Sequence, residues 1–134
     1  MEKTQLWGET MTTEHYHQVA VVRWANIYAT RVPELYLLFA IPNAGKRGRK
    51  ARGQMLDEGL KAGVPDLCLP VARGGYHGLF IEMKTAKGKV THEQRAWLQR
   101  LDCVGYRAVI CRGSDAAIRE LSRYINGQIE RGPA

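Results

Sequence analysis

The sequence predicts a mixed α/β sandwich, and three observations predict it. Helix-period segments and short apolar runs follow one another in the order helix, strand, helix, strand, strand, helix, strand, helix. Two of the strands flank a glycine-bearing turn, which breaks the strict alternation that an all-parallel sheet requires. The chain has 134 residues, enough for one domain with a single core.

Residues 1–11 are polar and are expected to form a flexible tail. From Thr12 or Thr13 a helix is expected to about Thr30, with Val19, Val22 and Ile27 among its apolar positions and Pro33 beyond its end. The run "LYLLFAI" (35–41) suits a buried strand that Pro42 stops. The basic segment 47–62 is expected to be helical, with Gly63 as a left-handed cap and Pro65 just after it. "DLCLPV" and "GLFIEMK" read as strands, and "ARGGYH" between them has the glycines of a hairpin turn. "THEQRAWLQRLDCVG" opens with a capping-box pattern, Thr91 to Gln94, and sets Trp97, Leu98 and Leu101 on one face before Gly105 ends it. "YRAVICR" (106–112) is a strand, and Ser114 is the expected cap of a last helix over 115–126. The domain is thus expected over 12–126, with 127–134 as a C-terminal tail.

Composition excludes some classes. The chain is 45% hydrophobic and 25% charged, as soluble globular chains are. Its start lacks the apolar region of a signal peptide, and no apolar run approaches the roughly 20 residues of a membrane helix, so a cytoplasmic protein without membrane contact is expected. Cys68, Cys103 and Cys111 are odd in number and lack C-x-x-C spacing, which favours reduced thiols over a disulfide framework or a zinc site. The net charge of +7 favours a polyanionic partner. Its distribution says more, because "GKRGRKARG" (45–53) carries Lys46, Arg47, Arg49, Lys50 and Arg52 with no acid among them.

The chemistry sits in "GVPDLCLPVARGGYHGLFIEMK". Alternate strand residues share a face, so Glu82 and Lys84 stand together with Phe80, while Leu79, Ile81 and Met83 face the other way. Asp66 opens the preceding strand, and a hairpin brings it beside Glu82. Two close carboxylates repel unless something neutralises them, and hard oxygen ligands suit Mg²⁺ or Mn²⁺. With Lys84 beside them, the components fit metal-assisted phosphodiester hydrolysis. The competing reading makes Glu82 and Lys84 the solvated face of an edge strand, and Asp66 a plain turn residue after Pro65.

"PD" followed after fifteen residues by "EMK" resembles the PD-(D/E)xK nuclease superfamily. More narrowly, "EHYHQVAVVRWA", "IPNAGKR", "GVPDLCL", "IEMK" and "EQRAWLQRLDCVGYRAVI" follow the order seen in VRR-NUC nuclease domains, a resemblance that covers about residues 14–121. It implies a restriction-endonuclease-like α/β sandwich, a mixed central sheet flanked by helices. It also implies that Asp66, Glu82, Glu14 and the Met83 carbonyl hold the metal, that Lys84 is the catalytic lysine, and that Gln94 reaches the site from its helix. Gln94 is equally the partner in the capping box, Glu14 equally a favourable first-turn acid, and Gln18 a candidate behind the metal ligands.

"IPNAGKRG" is not a phosphate loop of the Walker type, so no nucleoside triphosphate is expected; Asn43 and the basic run are expected to contact DNA backbone phosphates. His15, His17, His77 and His92 lack the spacing of a histidine-driven nuclease, and no histidine general base is expected. The expected activity is a Mg²⁺- or Mn²⁺-dependent endodeoxyribonuclease. By resemblance it is a homodimer acting on branched DNA such as four-way junctions and leaving 5′-phosphate and 3′-hydroxyl ends. The rivals are a non-catalytic DNA-binding module on the same fold and an RNA-processing nuclease.

Overall fold

A computed structural model describes residues 13–42 and 48–133. The expected N-terminal tail therefore lies outside the described residues, as do Asn43, Lys46 and Arg47. Helix α1 (Glu14–Tyr28) starts at Thr13, whose hydroxyl accepts the Tyr16 N–H at 3.2 Å. A 3₁₀ turn (Pro33–Leu37) and β1 (Phe39–Ala40) follow, then α2 (Arg49–Asp57), β2 (Leu67–Leu69), β3 (Leu79–Lys84), α3 (His92–Cys103), β4 (Arg107–Arg112) and α4 (Ser114–Ile125). The four strands form one sheet in chain order. β1, β2 and β3 are antiparallel neighbours and β4 lies parallel to β3, so β3 is a central strand. This mixed sheet flanked by helices is the restriction-endonuclease-like α/β fold.

The core explains why the strands hold. Leu67 and Leu69 of β2 and Leu79, Ile81 and Met83 of β3 are fully buried, packed with Val21 and Ala25 of α1 and Ala117, Leu121 and Tyr124 of α4. Burying a side chain of this size is worth about 1.5–3 kcal/mol each. Tyr124 also places its hydroxyl within 2.6 Å of the Val71 carbonyl, so its polar end is satisfied inside the core. Every second residue of β3 is thus committed to the α1–α4 side. Glu82 and Lys84 are left on the other face, the one from which α3 approaches.

Four sequence expectations are corrected. Residues 35–41 do not form a buried strand. Pro33 presets the first turn of a 3₁₀ helix, Leu35 is the buried residue of that turn, and Tyr36 and Leu37 are exposed; only Phe39–Ala40 pair with β2, at an exposed sheet edge. The basic helix is shorter than 47–62. It ends in a Schellman motif, with the Gly59 N–H donating to the Leu56 carbonyl and Leu60 N–H to Met55. Gly63 lies beyond that cap at φ +89°, and a Cβ there would also lie 2.7 Å from the Glu93 backbone, so only glycine fits. Ser114 is the first helical residue of α4 rather than its cap, and His17 Nδ1 of α1 accepts its N–H at 3.0 Å. Finally, residues 127–131 pack back: Ile129 is buried in the core, and the Arg131 N–H donates to the Gly74 carbonyl.

Candidate active site

The β2–β3 register pairs Leu67 with Ile81, which sets Asp66 opposite Glu82 on one face of the sheet. The turn that fixes this register has both central glycines, Gly74 and Gly75, at positive φ and a bridge between Arg73 and Tyr76. Asp66 Oδ2 accepts the Met83 N–H at 2.7 Å, and the Asp66 carbonyl accepts the Ile41 N–H at 2.8 Å. The first bond ties the carboxylate to β3, and the second ties the Asp66 backbone to the segment after β1.

Glu82 is 2% exposed and Lys84 6%, which removes the reading of a solvated edge-strand face. Lys84 Nζ lies 3.5 Å from Glu82 Oε2 and 3.5 Å from Glu14 Oε1, so the ammonium bridges a carboxylate of β3 and one from the first turn of α1. Burial pushes the Glu82 carboxyl up to about 8, and the neighbouring Asp66 raises it further than Lys84 can lower it. Two acids thus pair with one cation, and Asp66 lies beside Glu82.

Gln94 unites two roles that the sequence presented as alternatives. Its side-chain oxygen accepts the Thr91 N–H at 2.9 Å, closing the capping box of α3. Its amide nitrogen then points to Glu82 Oε2, at 3.4 Å. Beyond Lys84 the chain is clasped by Arg112, whose Nη1 donates to the carbonyls of Thr85, Ala86 and Gly88 at 3.0, 3.3 and 2.7 Å. The loop from Lys84 to α3 is thereby fixed at both ends.

A divalent cation is the group this donor set has to fit. Among the described residues no three acidic, histidine or cysteine side chains close on a single point. Glu14 and Glu82 instead meet through the Lys84 ammonium. The chemistry nevertheless fits: carboxylate oxygens of Asp66, Glu82 and Glu14 are hard donors, and burial, with Asp66 beside it, penalises the ionised Glu82 carboxylate in a way that a bound cation would relieve.

Of the expected DNA contacts within the described residues, Arg49, Lys50 and Arg52 lie exposed on α2, which buries none of its residues. Gln18 lines a cavity of about 730 Å³ that Glu14 and Asp66 also line. His15 and Arg23 also line it, and the motifs do not single them out. The sequence signal for them is helical spacing, with Glu14, Gln18 and Val22 four apart and His15, Val19 and Arg23 likewise. Cys68 and Cys111 are buried and Cys103 is exposed; all three are free thiols, and burial pushes Cys68 up to about 11 and Cys111 to about 12. Among the described residues no helix is long and apolar enough to cross a membrane.

The family model for the VRR-NUC domain matches residues 10–115. A solved structure described as a VRR_NUC domain protein is similar to the chain at 31% identity, with a TM-score of 0.72 over 86% of this chain and 89% of that one. No curated protein matches the sequence.

Proposed function

The chain belongs to the VRR-NUC domain family of nucleases, and on that premise we propose that it is a divalent-metal-dependent endodeoxyribonuclease that cuts branched DNA. The observation that carries the reading is the buried pair Glu82 and Lys84 on a central strand, with the half-buried Asp66 set opposite Glu82. A fold that needed only a basic surface for DNA would have no use for an acid buried beside a lysine and a second carboxyl, since burial raises the free energy of the charged Glu82.

Asp66, Glu82, Glu14 and the Met83 carbonyl would hold Mg²⁺ or Mn²⁺, which supplies charge neutralisation and Lewis-acid activation at the scissile phosphate. The chain's own groups do the rest. Lys84 presents a fixed ammonium to the pentavalent phosphorane and orients the attacking water. Gln94 holds the Glu82 carboxylate through its amide nitrogen while its oxygen anchors α3, so the acid cannot rotate away from Asp66. Asp66 is kept in place by the Met83 N–H. Arg49, Lys50 and Arg52, with Asn43, Lys46 and Arg47 preceding them in sequence, would bind backbone phosphates; their contacts position the strand and carry no base information. A homodimer would bring two such sites to one junction, and the products would carry 5′-phosphate and 3′-hydroxyl ends.

The test is a labelled four-way DNA junction, a matched linear duplex and the corresponding RNA duplex, each incubated in Mg²⁺, in Mn²⁺ and in EDTA. Metal-dependent incision near the branch point with the duplexes spared is the expected result. Binding without incision in either metal removes the catalytic reading, and incision of RNA in preference to DNA removes the DNA one.

A further inference from the structure

The cavity beside the carboxylates has a composition that phosphate binding does not explain. Its volume, about 730 Å³, lies within the roughly 300–1,000 Å³ range of small-ligand sites. Val19 and Val22 of α1 form one wall, and Ile41 and Pro42 of the segment after β1 form another. Backbone phosphates have no affinity for such walls. The faces of a nucleobase do, but in a paired duplex they are covered by stacking, so only a nucleotide out of the stack could present them.

The polar groups of the cavity are placed to hold the rest of a nucleotide. His15, Gln18 and Arg23 all line it, and among the described residues none of these three side chains makes a hydrogen bond or ion pair. Gln18 is half-buried and His15 and Arg23 are exposed, so all three remain available beside an apolar slot to a ligand with both polar edges and flat apolar faces. Arg23 is nine residues from Glu14, roughly 13 Å along the helix axis at 1.5 Å per residue. It therefore meets a phosphate further along the strand rather than the one being cut. Glu14 and Asp66 also line the cavity, so an occupant would lie next to the carboxylates that face the scissile phosphate.

We propose that this cavity receives an unstacked nucleotide next to the scissile phosphate, its base between Val19, Val22, Ile41 and Pro42 and its polar edges on Gln18 and His15. The proposal rests on the nuclease reading and adds a physical basis for branched substrates. At a branch point a nucleotide leaves the stack at low cost, whereas in a continuous duplex the unstacking costs a few kcal/mol. Preference for a branch then comes from one subsite of this chain, independently of how many copies bind.

The test places 2-aminopurine, whose fluorescence rises when it leaves the stack, at each branch-point position of a four-way junction. Binding is followed in EDTA, so the readout is separate from cleavage. The wild-type chain is expected to raise the fluorescence at one of these positions by about threefold or more, and an abasic site there to weaken junction binding by about tenfold. Ala40→Trp, which fills the cavity from the exposed edge strand, is expected to abolish the fluorescence rise while binding of a linear duplex stays within about twofold. Arg23→Gln is the second variant, expected to weaken junction binding more than duplex binding. No rise at any branch position, or an Ala40→Trp chain that binds and cuts the junction as the wild type does, overturns the proposal. Absence of incision by the wild type in any metal counts against the nuclease reading alone, because the fluorescence arm reports on the cavity without it.

Discussion

Glu82 is the residue at which burial, charge and chemistry meet. Its carboxyl titrates near 8 in the folded chain against an ordinary value of 4.5. Between those values the unfolded chain has released the proton and the folded one still holds it. The folded state therefore binds more protons, and stability falls as pH rises from about 4.5 through 8. For the metal-free protein, melting temperature is expected to fall between pH 5.5 and 8.5, and Glu82→Gln is expected to flatten much of that slope, an effect on the order of a few kcal/mol. Mg²⁺ or Mn²⁺ should oppose the loss, raising the melting temperature more at pH 8.5 than at pH 6, because a cation binds the ionised carboxylate. Thermal denaturation across pH, with and without metal, reads all of this. An identical slope in wild type and variant would mean that Glu82 is not the group being titrated.

At the scale of elements, the β2–β3 hairpin sets Asp66 opposite Glu82, and its turn is where the register is decided. Gly74 has φ +58°, and a Cβ there would collide with the Ile129 carbonyl oxygen of the chain that packs across it. Gly74→Ala is expected to lower stability by more than ~1 kcal/mol in chemical denaturation, since both the backbone and the neighbour resist it. Much of this was legible in sequence: the paired glycines announced the turn, the P-D and E-x-K spacing announced a cross-strand acidic pair, and Thr91 with Gln94 announced the start of α3. What was illegible depended on tertiary partners. "LYLLFAI" has the composition of a buried strand, but its place at the sheet edge and the preset geometry of Pro33 leave most of it outside. The capping of α4 by His17, from a helix 97 residues away, leaves no local signature. The cavity on α1 was equally hidden, because its other wall comes from residues after β1.

For the whole molecule, the net charge of +7 coexists with a site in which Lys84 pairs with two acids and a third, Asp66, lies beside Glu82. The two are reconciled by position, since the basic residues of α2 lie exposed while Glu82 is buried with Lys84. If α2 contacts the DNA backbone, replacing Arg49, Lys50 and Arg52 by Ser should leave the melting temperature nearly unchanged, because none of the three is buried. The same change should weaken DNA binding and reduce the slope of log K against log salt by about 0.9 for each phosphate no longer neutralised. Affinity measured by anisotropy at several salt concentrations checks both parts, and an unchanged slope would move the DNA path off α2.

The most direct test of the site is single-turnover incision of a DNA junction by Lys84→Met, measured together with binding of the same junction. Methionine keeps the length and burial of the side chain and removes the ammonium that bridges Glu14 and Glu82. The expected result is a loss of incision on the order of a hundred- to ten-thousandfold, with DNA affinity within a few-fold of the wild type and a cooperative melt showing that the chain is folded. Incision within tenfold of the wild type would contradict an active site built on Asp66, Glu82 and Lys84.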